Sequence, residues 1–358
     1  MEKPRPRVII SPLNWGLGHA ARCIPIIKGL IDAGFEPVLA GDGESLELIA
    51  AEYPSLRMHK LPSYDIRYSR YSSFFKLKLI SQGPKILKSI ARENQMTEEI
   101  VAKENAVGII SDNRFGVRSK KVPSVYLTHQ LCVKAGWMTP VATQWHHTMI
   151  SKFDHCWVCD HYGEQSLAGE LSANRKGLTN VQWIGPLSRF SPGAVEKEID
   201  VSVILSGPEP SRTEFEARVM EELKGTELKV VLVRGLVEGA QTHVQEGNFK
   251  VHNYLLSEDL EVLIKKSRMV IGRSGYSSIM DLNAIGARAL LVPTPGQTEQ
   301  EYLSGYLRSK GVCLTVKQRS FTQNSLKEAE RYPGFEAKKT SKGKPLAPLF
   351  DVFLNESK

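Results

Sequence analysis

The sequence predicts an α/β protein built as two Rossmann-like domains facing each other across a cleft. Three observations lead there. At 358 residues, and about 100–200 residues per domain, the chain divides into two rather than one. Apolar runs of strand length alternate with helix-length amphipathic segments from end to end, the pattern of βαβ units and a parallel sheet. That alternation breaks once, at the turn-rich Gly185-Pro186-Leu187-Ser188-Arg189-Phe190-Ser191-Pro192-Gly193, and then restarts. The domains are accordingly 1–188, a linker at 189–200, and 201–358 with a C-terminal tail.

In the first half, Arg7–Ser11 reads as a strand and Ala20–Ala33 as an amphipathic helix stopped by Gly34. Pro37–Ala40, Leu56–Leu61, Val107–Ser111, Ser124–Thr128, Cys156–Cys159 and Val181–Ile184 follow as strands. In the second half, strands at Val201–Leu205, Lys229–Val233, Lys250–Asn253, Met269–Gly272 and Ala289–Val292 are interleaved with helices. Those helices are Ser211–Leu223, Ser257–Ser267, Tyr276–Ile285 and Thr298–Ser309. Lys338–Lys344 reads as a basic loop and Phe350–Leu354 as a last short helix. Ligands of such sheets bind at the carboxyl ends of the strands.

A composition of 41% hydrophobic and 24% charged residues excludes a disordered or fibrous chain. No apolar stretch is long enough to span a bilayer, and Val8-Ile9-Ile10 is too short for a secretory signal. Five cysteines are too few and odd in number for a disulfide scaffold, which points to a reducing cytoplasm. The net charge of +8 is concentrated. Arg67, Arg70, Lys76, Lys78, Lys85, Lys88 and Arg92 occur between Ile66 and Arg92 with no acid among them. Tyr64, Tyr68, Tyr71, Phe74 and Phe75 interleave with them, so residues 64–92 are a candidate contact with an anionic membrane surface, at about 1 kcal/mol per lysine. A partly buried helix with a solvated basic face is the alternative. Binding of single-stranded nucleic acid ranks below both, because no nucleic-acid module accompanies the segment, and no nucleic-acid partner is expected.

Two loops carry candidate chemistry. Pro12-Leu13-Asn14-Trp15-Gly16-Leu17-Gly18-His19 joins the first strand to the first helix. Gly16 and Gly18 let backbone approach a ligand, the helix start favours an anion, and His19 can take a proton near neutral pH. A plain Gly-rich turn is an equal reading. Gly16-x-Gly18-x-x-Ala21 with Asp42 also matches a dinucleotide fingerprint, but four residues separate the strand from its first glycine. The second loop, Arg273-Ser274-Gly275-Tyr276-Ser277, runs from a strand into a helix and suits an anion, with Asp281 placed for a ribose. Gln300 and Glu301 begin the next helix with groups suited to sugar hydroxyls. Asp112 and His129 follow strands directly and join Gly16 and Gly18 as acceptor-side candidates. Cys156-x-x-Cys159 invites a metal reading, yet residues three apart on a strand face opposite ways, so structural cysteines are expected and no metal site is assigned.

Gly272-Arg273-Ser274-Gly275 with Asp281, Leu291-Val292-Pro293 and Glu299-Gln300-Glu301-Tyr302 resemble the C-terminal domain of nucleotide-sugar glycosyltransferases of the GT-B fold. The similarity is to the peptidoglycan N-acetylglucosaminyltransferase family that acts on a lipid-linked muramyl pentapeptide. Gly16-Leu17-Gly18-His19 resembles that family's N-terminal glycine loop, and Ser206-Gly207-Pro208-Glu209-Pro210 falls at its first C-terminal phosphate loop. The resemblance implies that Leu255 borders the base, that Ser206, Gly207, Arg273, Ser274, Gly275, Tyr276 and Ser277 hold the diphosphate, and that Asp281 binds the ribose. Gln300 and Glu301 would read the sugar, and His19 would deprotonate the acceptor. Relatives carry Gln-Gln where this chain has Gln300-Glu301, which bears on the donor sugar.

The implied enzyme is an inverting, metal-independent glycosyltransferase with no cofactor, peripheral at the inner face of the cytoplasmic membrane. It would move sugar from a UDP-linked donor to a polysaccharide or lipid-linked acceptor of the cell envelope. A nucleotide-sugar epimerase of the same fold and a non-catalytic nucleotide-sugar binder are the alternatives.

Overall fold

The computed structural model describes residues 4–63, 83–174, 177–336 and 346–355. The chain divides into two compact units, Met1–Trp15 with His19–Gly185 and Lys344–Lys358, and Gly16–Gly18 with Pro186–Gly343.

The first unit starts with β1 (Arg7–Pro12), whose Val8-Ile9-Ile10 centre is wholly buried. Then come α1 (Leu17–Asp32), β2 (Glu36–Gly41), α2 (Gly43–Glu52), β3 (Arg57–Lys60) and α3 (Gly83–Glu104). β4 (Ala106–Asp112), β5 (Ser124–Thr128), α4 (Thr139–Ile150), β6 (His155–Val158) and β7 (Val181–Trp183) complete it. Its seven strands form one parallel sheet in the order β3-β2-β1-β4-β5-β6-β7. The central strands read as continuous apolar runs because a parallel sheet buries both its faces. Gly34 ends α1 at φ +86, letting the Phe35 N–H donate back to Leu30. Strand order reverses between β1 and β4, where Pro12 stands opposite Asp112. That reversal is the point at which open α/β sheets bind ligands.

The second unit repeats the plan with β8 (Ile199–Ile204), α5 (Ser211–Leu223), β9 (Val230–Val233), β10 (His243–Glu246), β11 (Phe249–His252) and α6 (Ser257–Lys266). It continues with β12 (Ser267–Gly272), α7 (Tyr276–Ile285), β13 (Ala289–Leu291), α8 (Thr298–Ser309), β14 (Leu314–Thr315) and α9 (Gln323–Ala329). The sheet order is β10-β11-β9-β8-β12-β13-β14, parallel except for β10 against β11. Val201, Val203, Phe215, Val219, Leu232, Ile271 and Leu290 centre its core. The reversal lies between β8 and β12, where Ile204 stands opposite Gly272.

Among the differences from the sequence reading, three have a plain physical reason. α1 begins at Leu17, three residues ahead of the apolar periodicity that starts at Ala20, because glycine contributes nothing to that signal. β10 escaped it altogether, since all four of its residues are exposed and it pairs on one side only. The tail is not an appendage of the second domain. A 3-10 turn at Ala347–Asp351 and α10 (Val352–Asn355) pack on the first unit, with Phe350 edge-on to Phe35 at 6.1 Å and Phe353 6.2 Å from Trp157. Residues 64–82 of the basic segment and the loop at 338–344 lie outside the described residues.

Candidate functional site

In the first unit, the reversal between β1 and β4 gathers a compact polar cluster. His19 sits in the first turn of α1, one turn before Arg22, and Asp112 is the last residue of β4. Arg22 donates from Nε to Asp112 Oδ2 at 2.8 Å and from Nη2 to Oδ1, a bidentate pair. His19 Nδ1 is 3.1 Å from Asp112 Oδ2 and 2.8 Å from Arg22 Nη2. Arg22 Nη1 donates to His129 Nδ1 at 2.8 Å. Arg22 (2% exposed), Asp112 (0%) and His129 (6%) are buried, while the His19 side chain is 14% exposed and forms the cluster's opening.

Proton accounting constrains this cluster. A guanidinium only donates, so His129 Nδ1 must present its lone pair to Arg22. His19 Nδ1 faces both Asp112, which only accepts, and Arg22 Nη2, which only donates; in the Nδ1–H tautomer it donates to Asp112 and keeps the Nε2 lone pair for a substrate proton. Burial favours an uncharged imidazole and pushes the His19 pKa below its ordinary value; Asp112 opposes that and Arg22 reinforces it. Burial alone would raise Asp112, but Arg22 and then His19 outweigh it and hold the carboxyl at about 2. Asp112 therefore stays ionised, beside a His19 kept neutral. That is the arrangement of a general base with an orienting carboxylate.

Two expectations change here. Asp112 and His129 are buried and tied together through Arg22, leaving His19 as the more open member of the cluster. Arg22 itself was missed by the sequence reading. Its signal was a lone cation on the apolar face of α1, among buried Ala20, Ala21, Cys23, Ile24, Ile26 and Ile27, three residues after His19. The dinucleotide alternative loses its acid, since Asp42 is ion-paired to buried Arg114, which also holds Glu93 at 2.6 Å. Gly16, at φ +86, forms the turn before α1 with open space where a Cβ would stand, and Gly18 is in that helix's first turn.

In the second unit, Ser206-Gly207 leaves β8 and Arg273–Ser277 leaves β12, so both predicted phosphate loops flank the reversal. Gly207 has φ +99, and a Cβ there would stand 3.3 Å from the Thr294 hydroxyl; only glycine fits comfortably. Gly275 caps α7, and a Cβ at Gly275 would meet nothing within 4 Å, leaving the helix start uncrowded at that position. Ser274 and Gln300 are brought together, the Ser274 hydroxyl donating to the Gln300 carbonyl at 2.9 Å. Gln300 Oε1 accepts from Thr294 N at 2.8 Å, and Glu301 Oε1 from Gly296 N at 3.2 Å, so both side chains brace the loop before α8. Leu255 is half-buried just beyond the end of β11, beside Tyr254, whose hydroxyl donates to the Gly239 carbonyl.

Arg273 and Asp281 depart from expectation. Arg273 is 1% exposed and turns inward, stacked 4.6 Å over the Phe215 ring and donating to Ser211 O and Gln318 Oε1, both at 2.9 Å. Burial lowers its pKa to about 10, still charged at neutral pH. It ties the strand ends together and offers no fork to an anion. Asp281 is buried, with Oδ1 accepting from Ser188 at 2.7 Å and Oδ2 from Arg189 Nε at 3.3 Å. Burial raises its pKa against the opposing effect of Arg189. Its carboxylate anchors the 186–190 segment, so a ribose would have to share it. Cys156 and Cys159 are buried thiols outside any disulfide, the latter pushed up to about 12 by burial, as inert structural cysteines are.

Two sheets of Rossmann order, each with a glycine loop at its reversal, are the fold of the GT-B glycosyltransferases. MurG of Acinetobacter baumannii shares it at a TM-score of 0.55 and 12% identity, over 99% of this chain and 100% of that one. The glycosyltransferase family 28 C-terminal domain matches residues 214–338, and the chain is accordingly a glycosyltransferase of GT-B type, similar to MurG. An uncharacterized glycosyltransferase of Methanopyrus kandleri is 21% identical over 334 residues, 88% of this chain and 90% of that relative. The UDP-N-acetylglucosamine--N-acetylmuramyl-(pentapeptide) pyrophosphoryl-undecaprenol N-acetylglucosamine transferase of Exiguobacterium sibiricum is 25% identical over 176 residues, 47% of this chain and 48% of that enzyme.

Proposed function

We propose that the protein is an inverting, metal-independent glycosyltransferase that moves a sugar from a UDP-linked donor to a hydroxyl of a lipid-linked or glycan acceptor. The observation that carries this reading is His19, held neutral with its Nδ1 3.1 Å from the buried Asp112 carboxylate at the sheet reversal. In the proposed step, His19 Nε2 takes the acceptor hydroxyl's proton while its oxygen bonds to the anomeric carbon. The bond from that carbon to the diphosphate breaks, and the electron pair leaves with the nucleotide. Asp112 stabilises the imidazolium that forms. In the second unit, the positive potential at the start of α7 favours the charge that gathers on a departing phosphate. Attack opposite the leaving group inverts the anomeric centre.

A lipid-linked acceptor is supported by an apolar face on the first unit. Trp137, Val141 and Trp145 are exposed there, beside and along α4, and Val141 and Trp145 line a groove with Pro140, Gln144 and Thr148. The Exiguobacterium relative is named for a pyrophosphoryl-undecaprenol acceptor. Among the described residues, no helix is long and apolar enough to cross a membrane.

The test is nucleotide release from a panel of nucleoside-diphosphate sugars, with and without lipid extract and with EDTA. Release that needs both UDP-sugar and extract, survives EDTA and gives a product of inverted anomeric configuration supports the reading. Turnover of donor alone, abolition by EDTA, or retention of configuration overturns it.

A further inference from the structure

We propose that Arg22 is a positioning residue for the base: by occupying both oxygens of Asp112, it keeps that carboxylate from drawing a proton onto His19. The inference deepens the reading of His19 as the base and rests on it.

The geometry sets two partners in competition for one carboxylate. A histidine beside a free buried carboxylate is drawn into an ion pair, becoming an imidazolium with no lone pair to accept a proton. Here the bidentate guanidinium neutralises Asp112, and its Nη2 lies 2.8 Å from the same His19 nitrogen. A cation at that distance makes a second positive charge on His19 costly. The same guanidinium also donates to His129 Nδ1 at 2.8 Å, which holds it in place between the two rings. The charged and titratable groups around His19 come from three elements: Arg22 from its own helix, Asp112 from the end of β4, and His129 after β5. Cys23, whose thiol is 3.7 Å from Asp112 Oδ2, and Cys159 complete the surroundings, and burial raises both their pKa values, so they stay uncharged.

Lysine could supply the charge but not the fork, which reaches Asp112, His19 and His129 together. The arrangement gives a base that is ready across the neutral range, with the carboxylate still available to the imidazolium formed during turnover.

The experiment is a pH titration of the His19 imidazole nitrogens by NMR in the full-length protein without substrates, the signal being assigned by its loss in His19→Gln. His19 is expected to titrate below 6.5 in the parent and to shift upward by about one pH unit or more in Arg22→Gln, where Asp112 acts unopposed. A folded Arg22→Gln protein with unmoved His19 titration overturns the proposal. Should that variant not fold, Asp112→Asn is compared with Arg22→Gln/Asp112→Asn, which removes the whole ion pair. His19 is expected to titrate lower in the single variant, where Arg22 remains, and equal values overturn the proposal. Because no donor or acceptor is used, an inactive protein with the predicted shifts refutes the transferase reading and leaves the role of Arg22 standing.

Discussion

Gly108 lies in mid-β4, and the ring of Phe353 from the C-terminal segment lies directly over it. A Cβ at Gly108 would stand 2.1 Å from Phe353 Cδ1, 2.6 Å from Cε1 and 2.7 Å from Cγ, so it meets a whole ring edge and not a movable tip. In Gly108→Ala the ring must leave its seat. Phe353 is 4% exposed and packs edge-on to Phe35 at 6.3 Å. Losing that burial costs about 1.5–3 kcal/mol, and the aromatic contact adds about 0.5–1.5 kcal/mol, which puts Gly108→Ala at roughly 2–4.5 kcal/mol. Phe353→Ala leaves a cavity and is expected to cost about 3–5 kcal/mol. The two changes are not independent, because the new methyl occupies space the ring has vacated. The double variant is therefore expected to be about as stable as Phe353→Ala alone, a coupling of about 2 kcal/mol or more. Urea unfolding followed by tryptophan fluorescence measures it, Trp157 being wholly buried and in contact with the same segment. Costs that add to within about 0.5 kcal/mol would show that Phe353 does not sit on β4, and with it the packing behind Asp112 would be wrong.

Burial pushes His146 down to about 3, so the neutral ring's stability is complete above pH 6.5 and is lost as the pH falls towards 3. His146→Phe is expected to flatten the stability profile between pH 6 and 4 by up to about 1.4 kcal/mol per pH unit, read by denaturant melts; an unchanged slope contradicts it. With its pKa lowered, His19 is expected to give an acid limb of kcat/KM below pH 6.5, and a limb above 7 contradicts a base held neutral. Arg273→Met is expected to cost the second unit about 1.5–3 kcal/mol in unfolding experiments while UDP affinity stays within about threefold. A tenfold loss of affinity at unchanged stability would return Arg273 to the phosphate. All five thiols are buried, so a thiol reagent is expected to modify them slowly in the native protein and completely in denaturant.

Much of the architecture was legible because parallel strands announce themselves locally. Val8-Ile9-Ile10 and Met269–Gly272 need no distant partner to be recognised, and the glycine turns that follow them fall at the two sheet reversals. Side-chain direction was not legible. A cation at a strand-to-helix turn reads as an anion ligand, yet Arg273 swings back to Gln318, 45 residues onward, and to the ring of Phe215. Asp281 was placed on the right helix, but the partners that claim it, Ser188 and Arg189, lie more than 90 residues earlier. Arg22 illustrates the same point: helical periodicity shows an odd cation on an apolar face, and only the β4 terminus, 90 residues away in sequence, explains it. The C-terminal segment carried its own helical signal, but nothing local tells Phe350 and Phe353 which sheet to cover.

His19 is the proposed base on which turnover depends. Turnover and donor affinity measured side by side for the parent and His19→Ala test it most directly. Removing a general base is expected to lower kcat about 10²–10⁴-fold while the donor Kd stays within about threefold. Undiminished turnover, or a donor affinity that collapses together with it, would contradict the account.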